Sequence, residues 1–229
     1  MNERYLKFLD KIKNNELIIH DGAIGTELQR RGVSMDSSWC GTASLQEEIL
    51  TQIHKDYINA GSDIITTNTY ASSRIMLKAA GFEKRFKEVN LKAINSALNA
   101  REEINENDIL IAGSISHRYP IADGDILSKA VVNVSKDELH DSTEEMLNLL
   151  SNSGCDLILL EMMYRPERME VVFDVMQKSK IPVWVGFSCR KGKNGEILSL
   201  TDESEVTFEE MLNLANRYGF KAWGAMHTS

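Results

Sequence analysis

The sequence predicts an α/β protein built around a parallel sheet. Two observations carry the prediction. Six short apolar runs, at 16–21, 62–67, 108–114, 155–161, 181–187 and 221–226, alternate with longer helical patterns. They are continuous and rich in Ile, Leu and Val, as strands buried on both faces are. In addition, a unit of helix, glycine, one residue, aspartate and strand recurs as AGSDIITT (60–67) and SGCDLILLE (153–161). Alternation of this kind implies repeated β/α units. Six strands alone do not separate a barrel from an open doubly wound sheet, although no GxGxxG follows the first run.

The elements follow in order. The first 16 residues, MNERYLKFLDKIKNNE, are too charged for a secretory leader and read as a short amphipathic helix. The helix in 44–61 stops at Gly61, a residue that tolerates positive φ. Ser135 with Glu138 forms one capping box, and Thr207 with Glu210 repeats it. Gly219 ends that last helix, and Pro166 suits the first turn of the helix in 166–179. No Pro/Gly/Ser-rich linker or low-complexity segment interrupts the pattern, so 1–229 reads as one domain.

The chain has 229 residues and a net charge of −8. That acidity argues against a nucleic-acid partner, since a phosphate backbone selects clustered Lys and Arg. The basic stretches 83–87 and 190–193 read as solvated faces. No apolar stretch is long enough to span a bilayer, which argues against a membrane partner. The three cysteines, Cys40, Cys155 and Cys189, are widely spaced with no CxxC pair, which suggests a reducing, cytoplasmic setting.

In parallel α/β folds the site lies at the carboxyl ends of the strands. Those ends carry HDG, TTNTYASS, SISHRYP, EMMYRP, SCRKG and MHTS, while the opposite ends carry helix-stop glycines and turn aspartates. This asymmetry marks an enzyme-like site. Asp21 is either a turn residue, as Asp-Gly favours, or a carboxylate aimed into the mouth. Gly22 beside it would let a ligand approach the backbone. Glu161 ends an apolar run, where an ionised carboxylate is costly unless paired. Its partner is either Arg165 or Arg168, or a substrate amine. Asn68 could present its amide to a carboxylate or serve a turn. Of the five histidines, His20 is expected to pack or to face the helix layer, and His54 and His140 to lie at the surface or an interface. His117 and His227 fall at strand ends on the site side. Cys155 lies at the far end of its strand and reads as core.

Together these residues resemble the homocysteine-binding, zinc-dependent S-methyltransferase family. The resemblance rests on DGAIGTELQRRG (21–32), Trp39, HKDYINAGSDIITTNTYASS (54–73), AGSIS (112–116) and LILLEMM (157–163), and covers nearly the whole chain. It implies a TIM (β/α)8-type barrel, of which about six strands are present here, so the barrel domain would be incomplete at its C-terminus. Completion by another chain, as in a homo-oligomer, is one arrangement this allows. The resemblance also implies that Asp21 and Glu161 hold the amino group of homocysteine, with Gly22 and Thr67 lining the pocket; Asn68, from its place at the strand end, is counted with them as a candidate substrate-binding residue. The implied partners are a small thiol amino acid and a methyl donor, and the implied setting is methionine biosynthesis.

The family's zinc is held by one cysteine after strand six and an adjacent pair after strand eight. In this chain His227 stands at the strand-six position, and the sequence as given ends at Ser229 without the pair. Cys40, Cys189 and His117 are the available substitutes, and no metal ligand is assigned. The methyl donor is not legible, and the chain is expected to be weak or inactive in zinc-dependent transfer. Two rivals share the scaffold: a metal-free enzyme using His227 or His117 as acid or base, and a non-catalytic amino-acid-binding module.

Overall fold

The computed structural model describes residues 2–36, 38–120, 134–200, 205–220 and 222–226. The helices are α1 (Glu3–Lys13), α2 (Ile24–Arg30), α3 (Glu47–Asn59), α4 (Arg74–Ala79), α5 (Phe86–Ile104), α6 (Lys136–Asn152), α7 (Pro166–Met176) and α8 (Phe208–Arg217). The strands are β1 (Ile64–Thr66), β2 (Leu110–Ser116), β3 (Leu157–Met163), β4 (Val183–Lys191), β5 (Ile197–Ser199) and β6 (Ala222–Met226).

β1, β2, β3, β4 and β6 pair in parallel, each beside its predecessor. This one-way order separates a barrel from a doubly wound sheet, which reverses direction at a switch point. β5 is the exception: it was not legible as an apolar run, and it returns antiparallel on the end of β4.

The first apolar run is not a full strand, contrary to the expectation for 16–21. It forms a single bridge, His20 to Ile64, with the Asp21 amide donating to the Ile64 carbonyl at 3.0 Å. Leu17 is 84% exposed and Ile19 44%. With so little of the run covered, apolar character alone does not make a ladder.

Alternation along the strands divides two cores. Ile65, Ile111, Ile115, Ile158, Leu160, Val185 and Phe187 face the helices and join the largest cluster. Ile64, Leu110, Ala112, Leu157 and Leu159 face inward and pack with Tyr5 and Phe8 of α1. Trp184 caps that cluster, its ring 5.4 Å from Phe8 and its Nε1 donating to Tyr5 Oη at 2.9 Å. The amphipathic N-terminal helix therefore plugs the amino end of the sheet. Toward the carboxyl end the same inward face turns polar, through Thr66, Ser114, Ser116, Glu161 and Ser188.

Local signals hold where they were read. Both capping boxes form, at Ser135/Glu138 and Thr207/Glu210. Gly61 and Gly219 take positive φ at their helix ends. Cys155 is buried in the main core. His54 is a correction: it is fully buried, not at the surface. It lies on the same stripe of α3 as Leu50 and Ile58, and α3 packs against α2 and α5. Burial pushes its imidazole down to about 3, so it sits there neutral. Among the described residues no helix is long and apolar enough to cross a membrane.

Candidate active site

Asp21 extends beyond the His20 bridge into the polar end of the inner face, its side chain 2% exposed. The Thr66 backbone amide donates to one carboxyl oxygen at 2.7 Å, and the Thr66 hydroxyl to the other at 2.9 Å. His20 is a second correction. Its register with Ile64 turns it inward, away from the helix layer, with Nε2 2.7 Å from Thr66 Oγ1 and 3.4 Å from Asp21 Oδ1. Burial holds its imidazole below the ordinary value.

Glu161 stands opposite Ser116 in the β2–β3 ladder. Just beyond it β3 bulges: Leu160 pairs Val185, yet Met163 pairs Phe187, so β3 carries one extra residue. Met162 absorbs the irregularity with φ of 54°, uncommon for a residue with a side chain. Among the described residues no cation pairs with Glu161; the alternative of a salt bridge to Arg165 or Arg168 is not formed. Arg168 instead lies over the Tyr119 ring at 3.4 Å.

Burial pushes both carboxyls up to about 7. For Asp21 the Thr66 bonds pull the other way, and the nearby Glu161 charge adds to the rise. Among the described residues these two desolvated acids, each near enough for the Glu161 charge to act on Asp21, have no lysine or arginine paired with them.

The other expected site residues are engaged internally. Thr67 is 1% exposed; its hydroxyl meets Thr69 Oγ1 at 2.8 Å and accepts from the Ser114 amide at 3.3 Å. Asn68 donates its amide to the Cys40 carbonyl at 2.8 Å and to Ser44 Oγ at 3.0 Å. Those bonds tie the 67–72 loop to the 38–45 segment that shapes the mouth. Gly22 has a steric reason as well: a Cβ there would stand 2.8 Å from Tyr57 Oη, which donates to the Ala23 carbonyl.

Gly41 locks the same two loops, because a Cβ would collide with the Ala71 backbone carbonyl. Gly41→Ala is expected to cost about 1–3 kcal/mol. An unchanged melting temperature would show that the loops separate freely.

His117 is a third correction. It is fully buried, and its Nε2 accepts from the Tyr164 and Arg165 amides at 3.1 and 3.2 Å. Burial pushes the ring down to about 3. It clips the end of β2 to the β3–α7 turn and is not free to shuttle protons. His227, the other proposed acid or base, lies outside the described residues.

The donors described here do not fit a zinc site. His117 has spent the lone pair a metal would need. Cys155 is at the far end of β3, and burial pushes its thiol and that of Cys40 up to about 12. Cys189 is packed in the main core with its thiol raised by burial. Among the described residues no three His, Cys, Asp or Glu side chains gather for a metal.

Sequence reasoning passed over Thr66, the anchor of Asp21, because threonine is common in strands. It also left Arg118 unweighed within SISHRYP, although a cation at a strand end beside aromatic residues was a readable signal.

Comparison with known proteins settles the kinship. The family model described as homocysteine S-methyltransferase matches residues 18–225. The chain belongs to the homocysteine S-methyltransferase family. A selenocysteine methyltransferase of Astragalus bisulcatus is 29% identical over 198 residues, covering 76% of this chain and 59% of that protein. The homocysteine S-methyltransferase YbgG of Bacillus subtilis is 29% identical over 189 residues, covering 77% and 60%. The chain thus spans about three fifths of the length of these relatives. The homocysteine methyltransferase MmuM of Escherichia coli, in its oxidized form, superposes with a TM-score of 0.78 at 23% identity, over 98% of this chain and 77% of that one. That likeness shows that this family member has the same α/β fold.

Proposed function

We propose that this S-methyltransferase family member binds homocysteine or a related thiol or selenol amino acid and serves methyl transfer to its sulfur or selenium. One observation carries the reading: the buried Asp21–Glu161 pair at the carboxyl end of the sheet, paired with no lysine or arginine among the described residues. An amino-acid ammonium supplies the missing charge, and its arrival draws both carboxyls toward ionisation. Gly22, Thr67 and Asn68 line the same end, with Thr67 and Asn68 holding the loops in place.

In the reaction the acceptor sulfur forms a bond to the methyl carbon. The donor's bond to that carbon breaks, and its electron pair leaves with the donor. The thiol proton must depart, since the thiolate is the nucleophile. Zinc would supply that deprotonation in this family, but the described residues do not form its site. What these residues do is bind and orient the acceptor. The donor class is open to a sulfonium, a quaternary ammonium or a methylfolate. Methionine biosynthesis and a cytoplasmic setting accord with this reading.

The test is calorimetric titration of the chain with L-homocysteine, alongside mass spectrometry for methionine with S-methylmethionine, S-adenosylmethionine or betaine as donor. Homocysteine is expected to bind, and Asp21→Asn to weaken it about tenfold or more. Binding without methyl transfer under any donor and added zinc would reduce the chain to an amino-acid-binding module. An Asp21→Asn variant that binds as tightly as the wild type would remove the proposed receptor.

A further inference from the structure

The bulge beside Glu161 leaves a backbone donor outside the ladder. Between Leu160 and Met163 the β3–β4 register slips, and neither Glu161 nor Met162 has a partner on β4. An amide left out of a ladder needs an acceptor elsewhere. The Met162 amide finds one two strands away. Met226 of β6 stands opposite Ser188 of β4, and its Sδ accepts from the Met162 amide at 3.2 Å. To get there the Met226 side chain crosses β4 at Gly186. A Cβ at 186 would stand 2.6 Å from Met226 Sδ and 3.3 Å from the Leu160 carbonyl oxygen. Gly186 is not among the glycines with positive φ, so what it provides is space and not backbone freedom.

The side chain of Met162 is held as well. Tyr70 Oη donates to its Sδ at 2.9 Å. Tyr70 is packed in turn by Arg118, whose guanidinium carbon lies 5.8 Å from the Tyr70 ring centroid and 4.9 Å from that of Trp39. Backbone and side chain of Met162 are therefore both fixed through sulfur, at a residue with φ of 54°. A residue with a side chain stays in that region only where its surroundings hold it. The amide that Met226 holds belongs to the peptide plane attached to the Glu161 Cα.

We infer that Met226 is a positioning residue for Glu161: its thioether, reaching across Gly186, fixes the peptide from which the glutamate side chain projects to meet the ammonium of the bound amino acid. The inference rests on the proposed function for that ammonium. It gives Gly186 and Met226 a joint role that neither has alone.

The experiment compares L-homocysteine with 4-sulfanylbutanoic acid, the same molecule without its amino group, by calorimetric titration of the full chain. Wild type is expected to prefer homocysteine about tenfold or more. Met226→Leu fills similar space without an acceptor. It is expected to bind homocysteine about 3- to 10-fold more weakly and the amine-free thiol as wild type does. Met226→Gln, which restores an acceptor, is expected to recover part of the loss. Gly186→Ala should reproduce the selective loss by pushing the thioether aside, and adding Met226→Ala, which makes room but supplies no acceptor, should not repair it. Hydrogen exchange at the Met162 amide reads the same contact without ligand, and faster exchange is expected in Met226→Leu. Exchange equal to wild type would overturn the inference. So would an undiminished preference for homocysteine in Met226→Leu, or an equal loss of both ligands with no recovery in Met226→Gln, which would mean a structural role. Those results leave the ammonium reading standing. A wild type that does not distinguish the two ligands would instead remove that reading and this inference with it.

Discussion

Glu161→Gln is expected to make the unliganded chain more stable at pH 8 while weakening homocysteine binding at least tenfold. Burial raises the Glu161 carboxyl from its ordinary 4.5 to about 7, so the folded state holds a proton there that the unfolded state has released. A carboxyl raised on folding contributes full stability below its unfolded value, and that stability is lost as pH rises through the folded value. Over roughly pH 4.5 to 7 the wild type should therefore weaken by up to about 3 kcal/mol from this group alone. Asp21, also raised to about 7, adds a slope of the same sign. Glutamine keeps the shape and removes the titration. Urea denaturation at pH 5 and pH 8 should show a small difference between variant and wild type at the lower pH and a gain of about 1–3 kcal/mol at the higher. Lower stability of Glu161→Gln at pH 8 would mean that Glu161 has a cationic partner in the folded chain. The trade is a familiar one: a site held ready for a charged ligand is strained without it.

Asp156→Ala is expected to be the most destabilising single change, at about 3–5 kcal/mol. Asp156 opens β3 at the end opposite the site and is 3% exposed. It accepts from Asn2 Nδ2 at 2.5 Å, Arg4 Nη1 at 2.7 Å, Arg101 Nη1 at 2.8 Å and the Ile111 amide at 2.9 Å. One carboxylate thus fastens α1 and α5 to β2 and β3. Removing it strands the Arg101 guanidinium, whose side chain is 11% exposed, and frees the helix that plugs the inner core. Pairing the change with Arg101→Met should restore part of the loss, because the cost lies largely in the uncompensated charge. A denaturation midpoint close to wild type for Asp156→Ala would show that α1 and α5 are held by apolar packing alone.

Sequence reading went furthest where the signal is local. Capping boxes at Ser135 and Thr207 involve groups three residues apart, and glycines at 61 and 219 answer a single φ requirement. Glu161 was legible because a carboxylate closing an apolar run is anomalous on its own strand. Histidines were the weak point. His20, His54 and His117 all sit in apolar contexts whose surroundings come from other elements: Thr66 and Asp21 for the first, α2 and α5 for the second, the β3–α7 turn for the third.

By itself the sequence determined the β/α alternation, the helix ends, the amphipathic helix at the N-terminus, the polar carboxyl edge and the family, since each depends on residue type and spacing along the chain. Tertiary structure alone decided the one-way strand order, the reduction of 16–21 to a single bridge and the β3 bulge at Met162. It also decided the desolvation of Asp21 beside Glu161 and the stack of Arg118 on Trp39. These depend on which distant segments pack together and how much water they exclude, and it is that exclusion that makes an aspartate and a glutamate, 140 positions apart, one desolvated pair.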